Sequence, residues 1–211
     1  MADLVLYTNP MSSGRIARWM LEEVGAPYET VVLGYNGPES ANSMKAADYL
    51  AINPMGKVPA IVHRGQVVTE GAAICTYLAE AFPDAGLAPG EAERAAYYRW
   101  LFFAAGPVEQ AVTNRSMGFA PSAEQGRMAG YGSYDLTIDT LERAVAAHPY
   151  IAGDRFTAAD VYVGAQVGWG LQFGTLPRRE AFAAYWSRLE AREAWKRATA
   201  IDDALMAEAA G

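Results

Sequence analysis

In the first third of the chain, segments with the apolar pattern of strands take turns with segments that have the apolar spacing of helices. Leu4–Tyr7 is a short apolar run that stops at the turn-forming segment Thr8–Pro10, and we expect a buried strand there. Over Ile16–Val24 apolar residues recur at about every third or fourth position, which predicts a helix that ends at Gly25. Tyr28–Leu33 is rich in β-branched residues and predicts a second strand.

The same alternation continues as far as Phe82. Residues 45–52 predict a short helix, and residues 58–62 and 66–68 predict two strands joined as a hairpin. Residues 72–82 return to helical spacing. The order of strand, helix, strand, helix, strand, strand and helix predicts a small mixed sheet with helices packed on it, which is an α/β domain.

The pattern changes after Phe82. Residues 83–90 are rich in proline and glycine and predict a linker. Beyond them the chain has almost no strand pattern, and two alanine-rich segments, 92–115 and 122–147, predict one long helix each. We therefore expect an α/β plus all-α protein. The boundaries are predicted at 1–82 for the first domain, 83–92 for the linker and 93–211 for an all-helical second domain.

One capping signal marks the start of a helix in the second half. Thr157 can cap the third backbone N–H of the helix that follows, while the Asp160 side chain reaches back to the Thr157 N–H. Phe156 and Val161 occupy the two positions of a hydrophobic staple. We expect this segment to serve folding and to take no part in chemistry.

Composition narrows the class of protein. The chain has 211 residues, of which 52% are hydrophobic and 19% charged, so it can bury a core and is not disordered as a whole. Its net charge of −7 argues against nucleic acid as the main partner. The single cysteine, Cys75, cannot form an intrachain disulfide. The two histidines, His63 and His148, are too few for a zinc motif, so we expect no metal.

We also expect a cytoplasmic protein that does not contact a membrane. The start of the chain lacks the basic segment and long apolar run of a signal peptide. No stretch of about 18 residues is continuously apolar, as a membrane-spanning helix requires.

Four segments of the chain carry recognisable motifs. In sequence order they are Leu6–Arg15, Ile52–Ala60, Thr69–Ile74 and Gly153–Asp160. With these motifs the chain resembles the cytosolic glutathione transferase family from Leu4 to about Val163. The resemblance implies a thioredoxin-like first domain that binds glutathione as a co-substrate. It also implies a helical second domain that shapes the pocket of a small hydrophobic electrophile, and a homodimer.

The activity implied by the resemblance is that of a serine-type glutathione transferase, in which the glutathione thiolate attacks an electrophilic carbon. A glutathione-dependent isomerase, peroxidase or dehalogenase on the same scaffold is an alternative. A glutathione-binding stress module without turnover is another, and it draws support from Gly71, where the family usually has serine.

Ser12 and Ser13 lie between the first strand and the first helix, where a serine commonly caps the helix. The resemblance implies that one of them also stabilises the glutathione thiolate. A free thiol has a pKa of about 8.5, and lowering it by about two units takes roughly 2.7 kcal/mol. A hydroxyl donor contributes about 1.5–3 kcal/mol to a charged acceptor and a helix N-terminus roughly 0.3–1 kcal/mol, so no general base is needed.

Two alignments give different answers for the activating hydroxyl. Counting forward from the strand places Ser12 at the position of the serine in serine-type members, whereas counting back from Gly25 places Ser13 where others have a cysteine. We favour Ser12 over Ser13. Tyr7 is a rival hydroxyl, although its apolar neighbours fit a core position better.

The resemblance also implies the residues that hold glutathione. The Val58-Pro59 bond is expected to be cis, which leaves the Val58 backbone N–H and C=O for the cysteinyl part of glutathione. Glu70 is expected to bind the γ-glutamyl ammonium. Gly71 lacks the usual hydroxyl and offers only a backbone N–H at a helix start to the γ-glutamyl carboxylate. Lys57 is expected to bind the glycyl carboxylate.

Other charged residues and the cysteine receive simpler interpretations. Lys45 is expected to be a surface lysine, and Arg15 and Arg18 are expected to add positive potential near the start of the first helix. Cys75 lies on an alanine-rich apolar helix and is expected to be a buried, inert thiol. Because the first helix starts with serines rather than a cysteine, disulfide chemistry of the glutaredoxin type is not expected.

The electrophile pocket has the least specific signal. The aromatic residues between Tyr97 and Phe103 are too many for one stripe of a helix, so some of their rings must leave the core. The resemblance places the following side chains around the electrophile: Tyr98, Phe102, Met117, Phe119 and Trp169.

Overall fold

The computed structural model describes residues 3–210. This part of the chain divides into two compact units. The first consists of the described residues of Met1–Gly86 together with those of Arg192–Gly211, and the second is Leu87–Ala191. The boundaries expected at 1–82, 83–92 and 93–211 stay a prediction, and their terminal residues 1, 2 and 211 lie outside the described part.

The strands and helices follow the predicted order as far as residue 81. The elements of the first stretch are β1 (Leu4–Thr8), α1 (Gly14–Val24), β2 (Glu29–Val32), α2 (Ala47–Leu50), β3 (Ala60–His63), β4 (Gln66–Thr69) and α3 (Gly71–Ala81). The helices of the second unit are α4 (Arg94–Phe103), α5 (Glu109–Ser116), α6 (Gln125–Met128), α7 (Tyr134–Ala147), α8 (Ala158–Phe173) and α9 (Glu180–Glu190). The chain continues with α10 (Glu193–Ala210).

Within the described residues, the strands form one mixed sheet in the order β2-β1-β3-β4. β1 pairs parallel with β2 and antiparallel with β3, and β3 and β4 form the predicted hairpin. Leu4, Leu6 and Thr8 are buried, while the two residues between them are partly exposed. This alternation fits a strand with one fully covered face.

The last helix packs within the first unit rather than in the helical second unit. Trp195 on α10 meets Trp19 on α1 edge to face, with ring centroids 4.9 Å apart. Arg192 pairs with Glu23 at the end of α1, at 2.7 Å. The chain from Arg192 through α10 therefore packs on α1 and supports it, and α1 is the helix that follows Ser12 and Ser13 directly.

The helix predicted over 92–115 is present as α4 and α5, joined by a π-helical turn at Ala104–Val108. Pro107 lies in this turn. Because proline has no N–H to donate, it disturbs the regular hydrogen-bond pattern there, and the wider turn absorbs the defect.

The prediction of one continuous helix over 122–147 is wrong. α6 ends at Met128 and α7 begins only at Tyr134. Gly132, which lies between them, has a φ of 68°, a conformation that breaks a right-handed helix and that glycine adopts without strain. Ser133 then caps α7 by accepting the Leu136 N–H.

The predicted capping box forms at the start of α8. The Asp160 carboxylate accepts the N–H and the hydroxyl of Thr157 at 2.9 and 3.0 Å, the Ile151 N–H at 2.7 Å and the Tyr185 hydroxyl at 2.9 Å. Burial raises the pKa of Asp160, although these four donors act in the opposite direction. The residue therefore ties three segments of the second unit together, which is a role in folding.

Two kinds of feature are absent from the described residues. None of their helices combines the length and the apolar character needed to cross a membrane. No group of three or more His, Cys, Asp and Glu side chains among residues 3–210 is arranged to hold a metal ion.

Candidate active site

The connection between β1 and α1 is organised by Asn9, which is buried. Its side-chain amide donates to the Leu33 C=O at 2.7 Å, and its Oδ1 accepts the Met11 N–H at 2.9 Å. Its backbone C=O accepts the N–H and the hydroxyl of Ser12 at 3.1 and 2.7 Å. The side chain and the backbone C=O of one residue thus hold the connection in a single shape, a role that the Asn-Pro turn signal alone does not indicate.

Ser12 and Ser13 use their hydroxyls differently. The Ser12 hydroxyl donates to the Asn9 C=O and accepts the Gly14 N–H at 3.0 Å, so it pairs with the backbone N–H of the first residue of α1. Ser13 is exposed, and its hydroxyl lies 3.3 Å from the Val58 C=O, which is a long hydrogen bond. One hydroxyl is therefore committed to the backbone, and the other is weakly held and open to solvent.

Gly14 allows the start of α1 to approach the end of β1 closely. A Cβ atom on Gly14 would lie 1.9 Å from Thr8 Oγ1, a distance too short for two non-bonded atoms. Thr8 is completely buried, and its hydroxyl has no hydrogen-bond partner among the described residues. Glycine is required here because of this close contact between helix and strand.

The connection between α2 and β3 contains the Val58–Pro59 bond, which is cis as the resemblance implies. The C=O of Lys57, just before it, accepts hydrogen bonds from the Tyr49 hydroxyl and from the Asn53 side-chain amide at 2.8 Å. Burial raises the pKa of Tyr49 to about 12, so its hydroxyl keeps its proton and remains a donor.

The two lysines near this connection differ in what they contact. Lys45 is exposed, but its Nζ donates to the C=O groups of Met55 and Gly56 at 3.0 and 3.1 Å, so it supports the loop. Lys57 is exposed, and its side chain forms no ion pair with the described residues. Its ammonium group is therefore available to an anionic ligand.

Glu70 has an unusual backbone conformation at the junction of β4 and α3. Its φ is 67°, a region that non-glycine residues rarely adopt and that costs of order 1–3 kcal/mol. Its side chain is exposed and makes no capping hydrogen bond. Gly71 is the first residue of α3, so its N–H belongs to the donors that a helix start leaves unpaired. A strained residue that presents a carboxylate beside such a donor is typical of a binding site.

The expectation that Arg15 and Arg18 add positive potential near the start of α1 is wrong, because both side chains form ion pairs. Arg18 is 1% exposed, and its Nε lies 2.8 Å from Asp202 Oδ1. Nη2 of Arg15 lies 2.6 Å from Asp203 Oδ1. Both carboxylates lie on α10, so these charges are balanced by residues that are distant in sequence.

Tyr7 and Cys75 both pack against the interior of the first unit. The Tyr7 ring packs against a buried cluster and lies 5.5 Å from the Tyr49 ring. Cys75 is completely buried on α3, and burial raises the pKa of its thiol far above the usual range. The cysteine is therefore an inert thiol.

The residues expected around the electrophile all lie in the second unit. Tyr98 and Phe102 are one turn apart on α4, and their rings stack with centroids 6.5 Å apart. Phe102, Met117 and Phe119 are exposed, and Trp169 on α8 is half-buried. Exposed large apolar side chains are available for a ligand, and a shared pocket for all five residues stays a prediction.

A four-stranded mixed sheet with a cis-proline before β3, followed in sequence by an all-helical unit, defines a thioredoxin-like domain joined to a helical domain. The predicted fold class is thereby confirmed. Comparison with known proteins identifies the family that has this combination.

The family described as glutathione S-transferase, N-terminal domain, matches residues 11–81. The chain is 31% identical to the glutathione S-transferase GstA of Escherichia coli O157:H7 over 170 residues, which are 76% of this chain and 78% of that protein. It is 29% identical to the glutathione S-transferase hmp2 of Hypomyces subiculosus, over 92% of this chain and 97% of that protein.

Solved structures give the same result. A glutathione transferase from Methylococcus capsulatus is 28% identical, with a TM-score of 0.76 over 95% of this chain and 98% of that one. A sphingomonad glutathione S-transferase complexed with glutathione is also 28% identical, with a TM-score of 0.75 over 94% and 98% of the two chains. The chain belongs to the glutathione S-transferase family. The predicted enzyme class, a glutathione S-transferase, is confirmed with it.

Proposed function

We propose that the enzyme binds glutathione in its first unit and stabilises the thiolate with the hydroxyl of Ser13, for attack on a small hydrophobic electrophile. The observation that carries this proposal is the exposed Ser13 hydroxyl beside the Val58 C=O, 3.3 Å away. When the cysteinyl N–H of glutathione takes that C=O as its acceptor, the Ser13 hydroxyl is released and can donate to the sulfur.

The geometry supports Ser13 more than Ser12, although the sequence favours Ser12. The Ser12 hydroxyl has one proton, which it donates to the C=O of the buried Asn9 at 2.7 Å. Turning it toward a thiolate would remove that hydrogen bond, which contributes about 0.5–1.5 kcal/mol. Ser13 gives up only a long hydrogen bond at an exposed position, so more of its interaction with the thiolate remains as a net gain.

The remaining contacts with glutathione follow from charge and exposure. We assign the γ-glutamyl ammonium to the Glu70 carboxylate and the γ-glutamyl carboxylate to the Gly71 N–H at the start of α3. Lys57 has an exposed ammonium for the glycyl carboxylate, and the Val58 backbone, held before Pro59, pairs with the cysteinyl group. Because Gly71 supplies no hydroxyl, we expect glutathione affinity to be lower by up to about tenfold, which is the contribution of one hydrogen bond.

We assign the binding of the electrophile to apolar side chains of the second unit, namely Tyr98, Phe102, Met117, Phe119 and Trp169. These aromatic rings and the methionine offer apolar area with few polar groups, which suits a hydrophobic electrophile. The homodimer and the cytoplasmic location stay predictions.

Two serine variants test the proposal. Conjugation of glutathione to a chlorinated nitrobenzene is measured for Ser13→Ala and, as the matched control, for Ser12→Ala. Loss of one hydrogen bond to a thiolate removes about 1.5–3 kcal/mol, which is roughly tenfold to a hundredfold in kcat/KM for Ser13→Ala. The Ser12→Ala variant loses the hydrogen bonds to the Asn9 C=O and the Gly14 N–H, so it is expected to lose stability and to keep most of its kcat/KM.

Three outcomes contradict parts of the proposal. If Ser13→Ala keeps the full rate while Ser12→Ala loses it, the thiolate donor is Ser12. If neither variant changes the rate, the hydroxyl mechanism is wrong. If the protein is retained on immobilised glutathione but conjugates no electrophile, a binding module replaces the transferase.

A further inference from the structure

We propose that Asp203 is a positioning residue for the connection that carries Ser12 and Ser13, and that it acts through Arg15. The inference rests on the proposed function, since it concerns the geometry of the same hydroxyls. Asp203 lies on α10, nearly at the other end of the chain, and no sequence pattern near the serines points to it.

The Arg15 side chain joins three elements of the first unit. Its Nε donates to the Pro10 C=O at 2.6 Å. Its Nη2 donates to Asp203 Oδ1 at 2.6 Å and contacts the sulfur of Met206 at 3.1 Å. A planar guanidinium holds these donors in fixed directions, so the position of the Asp203 carboxylate determines where the Pro10 C=O is held.

The Pro10–Met11 peptide group is held on both sides as a result. Its C=O accepts from Arg15, and its N–H donates to Asn9 Oδ1 at 2.9 Å. The serines follow this peptide group directly, so its rotation would move both hydroxyls. Contacts that orient a reacting group matter because a misplacement of about 1 Å can cost up to a hundredfold in rate.

The Asp203–Arg15 ion pair is better suited to positioning than to stability. The side chains are 60% and 19% exposed, and an ion pair as exposed as this one contributes little to folding. A matched pair exists between the same two helices: Arg197 Nε lies 3.0 Å from Glu22 Oε2, near the other end of α1. Breaking that pair removes a comparable interaction without touching the serine connection.

Three variants of the full-length protein test the inference. Asp203→Asn keeps the shape of the side chain and removes its charge, and Arg15→Lys keeps the positive charge but lacks the planar fork. Both are expected to lower kcat/KM for the chlorinated nitrobenzene by about threefold to tenfold and to shift the pH midpoint of kcat/KM upward by about half a unit. Arg197→Gln, the control, is expected to keep the wild-type rate and midpoint.

A purely structural role would lower the melting temperature without moving the pH midpoint. The inference is overturned if Asp203→Asn shows the same rate and midpoint as Arg197→Gln, or if Arg15→Lys behaves as wild type. If Ser13→Ala lowers the rate and Asp203→Asn does not, only this inference fails. If neither serine variant changes the rate or the midpoint, the proposed function fails. A change in Asp203→Asn could then not act through these hydroxyls, so the inference is overturned together with the proposed function.

Discussion

The tripeptide asparagine-proline-methionine occurs twice in the first unit, at residues 9–11 and 53–55, and both copies form the same turn. The Asn9 Oδ1 accepts the Met11 N–H at 2.9 Å, and the Asn53 Oδ1 accepts the Met55 N–H at 3.1 Å. Both asparagines are buried and both methionines are exposed. The local structure of the two turns therefore follows directly from the shared sequence.

The two turns differ in what holds them in place. The Asn9 amide reaches the Leu33 C=O, 24 residues away, whereas the Asn53 amide reaches the Lys57 C=O, only four residues away. The first turn leads into the start of a helix and presents two hydroxyls, and the second leads to a cis peptide bond and presents backbone. The tripeptide therefore determines the shape of the turn, and the partners of its asparagine determine what the turn presents.

This difference separates two effects on the reaction. Changes at the first turn are expected to act on the thiolate, and therefore on kcat and on the pH profile. Changes at the second turn are expected to act on the binding of glutathione, and therefore on KM.

The largest effect is expected from replacing the two asparagines. Asn9→Ala leaves the Leu33 C=O, whose hydrogen bond is buried, and the Met11 N–H, whose hydrogen bond is partly buried, without their partners, which costs about 2–4 kcal/mol for two groups. Asn53→Ala is expected to cost less, about 1–2 kcal/mol, because the Lys57 C=O keeps its hydrogen bond from Tyr49. Urea unfolding of the two variants measures both losses. Equal losses would show that the distant anchor adds nothing.

A second effect is expected from Gly14→Ala. The new methyl group would lie 1.9 Å from Thr8 Oγ1, so either the buried Thr8 side chain or α1 must shift, at a cost of about 1–3 kcal/mol. Because the serines precede this residue, we also expect kcat/KM to fall. Gly106→Ala is the control, since a Cβ atom at Gly106 meets nothing within 4 Å. A Gly14→Ala variant as stable and as active as Gly106→Ala would mean that the contact at the end of β1 is not required.

The smallest effect is expected from Lys45→Met. The variant removes the ammonium that holds the Met55 and Gly56 C=O groups and keeps an apolar chain of similar length. We expect KM for glutathione to rise about threefold, while kcat and the pH midpoint stay at the wild-type values, because the loss concerns two hydrogen bonds from an exposed side chain. Steady-state kinetics with varied glutathione measures this split. A shift of the pH midpoint in this variant would contradict the separation of the two turns.

The apolar spacing of the first 81 residues was sufficient to predict the strands and helices there, because each short run is bounded by turn-forming residues. It fails between α6 and α7, where a segment with helical spacing is interrupted: the backbone becomes extended at Ala129, and Gly132 has a positive φ. The resemblance to a family predicts the cis bond, which is present, and the glutathione contacts, which stay a prediction. No periodicity indicates either of them.

The arrangement around the serines could not be predicted for a different reason. The partners of Arg15 and Arg18 are Asp203 and Asp202, more than 180 residues away in sequence. Long-range pairing of this kind depends on how α10 packs on α1, and an amphipathic pattern shows only that a helix has an apolar face. The same limit applies to the choice between Ser12 and Ser13, since it depends on which carbonyl each hydroxyl reaches.

The most direct measurement is the pKa of the glutathione thiol in the bound state, followed by the ultraviolet absorbance of the thiolate as pH is raised. We expect the wild-type protein to lower this pKa by about two units from that of free glutathione, Ser13→Ala to restore at least one unit, and Ser12→Ala to leave it nearly unchanged. The assignment of the thiolate to Ser13 is contradicted if Ser13→Ala titrates like the wild type, or if Ser12→Ala is the variant in which the pKa rises.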